Sequence, residues 1–154
     1  MGSYRVKALK VISCEDPSRR SSWQVRMHPP VDREQFEIID RIIRSLRNIL
    51  DSYLIVDLAV PLQGLEYIQL CRDNENLWKI ELHFDRPYTF TYERGGKAYV
   101  RRHPWTQMAV YMRNVDEVVG VFQETLCHLQ LPDLTRWRNC TREIYLERFK
   151  RQNP

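Results

Sequence analysis

From Leu77 the chain alternates with period two. Trp78, Ile80, Leu82 and Phe84 fall on one side of an extended strand, and Lys79, Glu81, His83 and Asp85 fall on the other. The spacing predicts a strand over 77–85 with its oily side in the core and its ionic side in water. Strand-like runs surround it. "YRVKALKVISCE" alternates loosely over 4–14, "QVRM" is stopped by Pro29-Pro30, and "YLIVDLAV" is apolar enough for a central strand. "YIQLC" is joined to "LWKIELHF" by the polar "RDNEN", and "YTFTYE" to "KAYVRR" by a turn holding Gly95 and Gly96, so two hairpins are expected, with "TQMAVYM" following. Connections this short require antiparallel neighbours.

The period changes at Asp32. Phe36, Ile39, Ile43, Leu46 and Leu50 recur at three- and four-residue steps, opposite Arg33, Glu37, Asp40, Arg41, Arg44 and Arg47. Asp32 with Gln35 forms a capping box, which predicts a helix over about 33–50. Asn114 with Glu117 repeats the signal before the stripe Val115, Val118, Val119, Phe122, Leu126 and Leu129, ended by Leu131-Pro132. Residues 141–151 can form a third helix with Ile144, Tyr145, Leu146 and Phe149 inward. The expected class is therefore α+β: one domain over 1–154, with an antiparallel sheet of about five to six strands. The long helix and the C-terminal helices are expected on one face, leaving the other to solvent or a partner.

Composition narrows the function more than the fold. A chain of 154 residues with 43% hydrophobic side chains suits a single core. No apolar run reaches the length of a membrane span, and no secretory h-region follows the basic start, so a cytoplasmic chain is expected. Cys14, Cys71, Cys127 and Cys140 show no C-x-x-C spacing and read as ordinary packing or surface thiols; His28, His83, His103 and His128 lack metal-ligand spacing, and His28 and His103, each before a proline, read as surface residues. No metal or cofactor is expected. Phosphate-cradling and nucleophile-elbow motifs are absent from the sequence. The net charge of +4 is uneven, basic at both ends and mildly acidic between 51 and 100.

The chemistry that remains is the Lys79, Glu81, His83, Asp85 row. Alternating charges on an open strand face stay hydrated, whereas acid–base catalysis needs groups shifted by burial, so a wet or partner-binding face is favoured over an active site. Arg94, Lys97, Tyr99 and Arg101 on the neighbouring hairpin extend that surface, and Tyr and Arg are typical interface anchors.

"YIQLCRDNENLWKIELHFDRPYTFTY", followed by "VDEVVGVFQETL" and "LPDLTRW", resembles the small immunity proteins of bacterial toxin–immunity systems. The matching points are Trp78 and Glu81, the helix over 116–126, and Pro132 with Trp137, all in the second half of the chain. The resemblance implies a non-enzymatic protein that binds and neutralises a cognate toxin. Inhibitors of nucleic-acid-cleaving toxins tend to be acidic, and this chain is basic. Two alternatives stand beside it: a nucleic-acid-binding module using the basic hairpin and terminal arginines, and a small hydrolase using Glu81, His83 and Asp85.

Overall fold

The structure, a computed structural model, describes residues 8–11, 22–49 and 52–152. Most of the predicted first strand and the "DPSRRS" loop lie outside the described residues. Among the described residues nine strands and three α-helices run β1 (Ala8–Val11), β2 (Ser22–Met27), α1 (Arg33–Ser45), β3 (Tyr53–Leu62), β4 (Leu65–Asn74), β5 (Leu77–Phe84), β6 (Tyr88–Arg94), β7 (Lys97–His103), β8 (Thr106–Met112), α2 (Val115–His128), β9 (Arg138–Asn139) and α3 (Thr141–Gln152). The α+β class follows.

Seven strands form the main sheet in the order β1-β2-β3-β4-β5-β8-β9. Pairing is antiparallel except between β2 and β3, which run parallel because α1 carries the chain back between them. The "RDNEN" hairpin is tighter than its composition suggests. β4 continues to Asn74, leaving only Glu75 and Asn76 in the turn.

Strand alternation sends Val25, Met27, Leu54, Val56, Ile68, Leu70, Trp78, Ile80, Leu82 and Phe84 to one face, where all are buried. The stripes of α1 (Phe36, Ile39, Ile42, Ile43) and α2 (Val118, Phe122, Leu126) cover them. Val31 N–H donates to the Leu126 carbonyl at 2.8 Å, and Arg44 bridges to Asp116 at 2.8 Å, so the two helices brace one another.

Asp32 and Asn114 both cap their helices; Asp32 accepts from Gln35 N–H as expected, whereas Asn114 accepts from Asp116 N–H and not from the expected partner Glu117. Both helices stop short of their stripes. α1 ends at Ser45, and extended Leu46 remains buried while its carbonyl accepts from Arg72. Arg47 N–H then turns onto Ser52 Oγ, and Ile49, beyond the helix end, is exposed. α2 ends at His128 because Leu129 adopts a left-handed conformation, which turns its side chain outward.

The β6–β7 hairpin is a separate two-stranded ribbon, inserted between β5 and β8, which pair directly. Thr106 Oγ1 donates to the Arg86 carbonyl at 2.6 Å and clamps the roots of the insertion together. The ribbon is therefore not the lateral neighbour of the β5 row that adjacency in sequence suggests.

Candidate functional site

Register sets the second face of the sheet. Across β4, β5 and β8 the directly opposed residues are Tyr67, His83 and Gln107 on one rung, Gln69, Glu81 and Ala109 on the next, then Cys71, Lys79 and Tyr111. The middle rung carries only a methyl group at Ala109. Above this part of the sheet the chain lays down Cys140 and α3, whereas α1 and α2 occupy the opposite face. Cys140 N–H donates to the Gln107 carbonyl at 2.9 Å, and Thr141 Oγ1 accepts from Gln107 N–H at 2.9 Å, which anchors the start of α3.

The result is a cleft of about 260 Å³ between α3 and the sheet, lined by Tyr67, Gln69, Glu81, His83, Trp105, Gln107, Ile144 and Arg148. The row expected in open water therefore divides. Glu81 and His83 have side chains only 14% and 15% exposed and form part of the cleft. Lys79 is half-buried, while Asp85 lies beyond the end of β5 and outside the cleft. The wet face of the sequence reading is corrected to a partly enclosed one, because α3 covers it.

His83 and Glu81 are held by partners around the cleft. Gln107 Oε1 accepts from His83 Nδ1 at 2.8 Å, so the other ring nitrogen, Nε2, meets Glu66 Oε1 at 3.4 Å. The His83 ring stacks on Tyr67 at 4.6 Å and leans on Trp105 at 5.1 Å. Lys79 Nζ stands 3.8 Å from Glu81 Oε1. Burial acts to lower the Lys79 pKa, but the Glu81 carboxylate, with Tyr111, raises it overall. Burial pushes the Tyr67 phenol up and does the same to the Cys71, Cys127 and Cys140 thiols, which are therefore poor nucleophiles.

The ribbon meets α3 through aromatic rings. Phe90 and Tyr92 lie 5.7 and 5.5 Å from Tyr145, Arg101 sits over Tyr145 at 4.4 Å, and Arg94 sits over Phe149 at 4.2 Å. Arg142 Nε adds a bond to the Thr91 carbonyl at 2.8 Å. His103 sits behind this contact, between Trp105 and Tyr145, and accepts from Arg101 Nε at 3.0 Å. It is only 6% exposed, which corrects its reading as a surface residue. Proline after it ends the strand but does not expose it.

The ribbon residues chosen from sequence fall into two groups. Arg101 is a structural strut, and Arg94 covers a phenyl ring. Lys97 is exposed at the turn, and Tyr99, 40% exposed, stacks on Tyr92 at 5.4 Å. Sequence reasoning missed Tyr67, Trp105, Gln107 and Arg148. The Y-x-Q-x-C and Q-x-A-x-Y alternations in β4 and β8 contain half of that signal; the strand order that unites them is a long-range property.

Among the described residues no three His, Cys, Asp or Glu side chains gather as a metal site, and no helix is long and apolar enough to cross a membrane. No protein-family model matches the chain, and no curated protein or solved structure does either. The immunity-protein resemblance thus rests on its motif residues alone.

Proposed function

We propose that this is a non-enzymatic protein-binding module, of the immunity type that the sequence resembles, which neutralises a bacterial toxin in the cytoplasm by occupying an acidic surface of it. The supporting observation is where the charge lies. The ribbon and α3 together hold eight basic and three acidic side chains, against sixteen basic and seventeen acidic in the remainder. The net charge of the whole chain is thus concentrated on one projecting unit, which also exposes Tyr99 and Val100. A basic, partly apolar projection favours encounter with an acidic partner and provides anchors once docked.

The same mixture of rings and cations suits single-stranded nucleic acid, the second reading. That mode needs open ring faces on which bases stack. Here Tyr145, Phe149 and Trp105 already carry Arg101, Arg94 and Arg148, and Tyr92 and Tyr99 stack on each other. Protein is favoured for that reason. Hydrolysis by Glu81, His83 and Asp85 is disfavoured because Asp85 does not line the cleft that holds the other two.

The test is affinity purification from the source cells after nuclease treatment, with the wild-type chain and the Lys97→Glu/Arg102→Glu variant, followed by titration of the purified captured protein. An acidic protein whose affinity falls about tenfold or more in the variant is the expected result. Retention that nuclease abolishes, with log K falling linearly in log salt, supports nucleic acid instead. Equal binding by both chains removes the ribbon from the interface.

A further inference from the structure

We infer that the open edge of β7 is a strand-addition site, where an acidic extended segment of the partner pairs with the backbone of Ala98, Val100 and Arg102. The inference rests on the binding function proposed above and specifies how the ribbon grips.

The register of the ribbon identifies those three residues. Arg94 pairs with Lys97 across Gly95 and Gly96, both with positive φ, as in a two-residue hairpin turn. In such a hairpin the pair flanking the turn exchanges hydrogen bonds, and bonded and non-bonded pairs then alternate. Tyr92/Tyr99, Phe90/Arg101 and Tyr88/His103 are therefore bonded within the ribbon. Glu93, Thr91 and Thr89 on β6, and Ala98, Val100 and Arg102 on β7, direct their N–H and C=O groups outward. The Arg142 bond to the Thr91 carbonyl agrees with this phase, since it needs that carbonyl on the outer edge of β6.

The two edges differ in occupancy. α3 guards β6 through Arg142, while among the described residues β7 has no strand neighbour except β6. The side chains of Ala98, Val100 and Arg102 are all exposed, Val100 at 73%. Exposed edges are usually blunted by proline, a bulge or charge. Here Pro104 comes only after the strand, no register shift interrupts the pairing, and the protection is Lys97 and Arg102. These cations repel a second copy of the same edge and attract carboxylates. The geometry thus selects an acidic strand over self-pairing. The seven residues of β7 span about 23 Å, enough for a partner segment of similar length.

The probe is a synthetic eight-residue peptide alternating glutamate with valine or threonine, and its lysine counterpart, titrated into the isotope-labelled full chain. The amides of Ala98, Val100 and Arg102 are expected to shift and to exchange more slowly with the glutamate peptide, and those of Tyr99 and Arg101 to change least. Val100→Pro removes one outward donor without touching an inward bond and is expected to weaken binding about tenfold or more; Ala98→Pro should repeat the effect. Val100→Thr should bind as wild type. Equal affinity in both proline variants, protection centred on other amides, or no binding of the glutamate peptide overturns strand addition. Binding that falls in Lys97→Glu/Arg102→Glu but not in the proline variants sinks the pairing mode and leaves the proposed binding function standing.

Discussion

Arg101 donates its Nε hydrogen to Nδ1 of His103 at 3.0 Å, which requires that imidazole nitrogen to be unprotonated. The remaining proton sits on Nε2, a buried atom with no hydrogen-bond partner. The side chains facing the ring are Phe90 on β6, Arg101 on β7, Trp105, His83 on β5, and Tyr145 and Arg148 on α3. A second proton on His103 would break the Arg101 bond and add a cation beside two others. Burial first, then Arg101, Arg148 and His83, holds its pKa below the ordinary imidazole value of 6.5.

A pH dependence of stability follows. Above about pH 6.5 His103 is neutral in both folded and unfolded chains, and the contribution is complete. As pH falls below that value the unfolded chain takes up a proton that the folded chain resists. Stability then drops by at most about 1.4 kcal/mol per pH unit until folded His103 itself protonates. His103→Gln should flatten this part of the profile when denaturant unfolding is compared between pH 7.5 and 5.5. Parallel profiles for the two chains would show that His103 does not set the slope.

The seat of α2 on the sheet should be tested at Phe122, which is fully buried among core residues of both layers. Phe122→Ala removes most of a ring and leaves a cavity, for an expected loss of about 3–5 kcal/mol in denaturant unfolding. A loss under 1 kcal/mol would mean that α2 does not close the core as described.

Asp32 offers a smaller, local test. Its Oδ1 accepts from Gln35 N–H at 2.8 Å, one of the donors that the first turn of α1 leaves unpaired. Asp32→Ala should cost about 0.5–2 kcal/mol, while Asp32→Ser should recover most of that. Equal stability of all three chains would place the helix start elsewhere.

These helix signals were legible because each depends on residues three or four apart. The strands were legible for the same reason: Trp78, Ile80, Leu82 and Phe84 need only the pleat to share a face. The candidate site was less so. The Lys79–Asp85 row looked wet because nothing near it in sequence covers it; its cover comes from Ile144 and Arg148, about sixty residues away. The helix over 141–151 was itself legible, but not the face it covers, since Ile144, Tyr145, Leu146 and Phe149 cluster without a clean helical stripe. Arg101 was misread for a related reason. Its side chain has a polar tip suited to an interface, but Tyr145 and His103 recruit it for the fold. Substituting Arg101 together with Tyr99 to probe binding would therefore disturb the ribbon itself.

Tyr145 provides the last test, because it is the shared contact of Phe90, Tyr92, Arg101 and His103. Its bond with Tyr92 raises the Tyr92 phenol pKa, which makes the pair visible to a spectroscopic titration. Tyr145→Ala should lose that perturbation and leave the ribbon joined to α3 mainly through Arg142 and the Arg94–Phe149 stack. Aromatic contacts of this kind contribute about 0.5–1.5 kcal/mol each beyond the area they bury, so the loss should be concentrated in ribbon and α3. Amide exchange should accelerate at Tyr92, Tyr99 and Arg101, while Ile68, Ile80 and Leu82 in the main sheet keep their protection. Uniform acceleration across both sheets would show that ribbon and core unfold as one unit, and that the projecting ribbon has no independent stability.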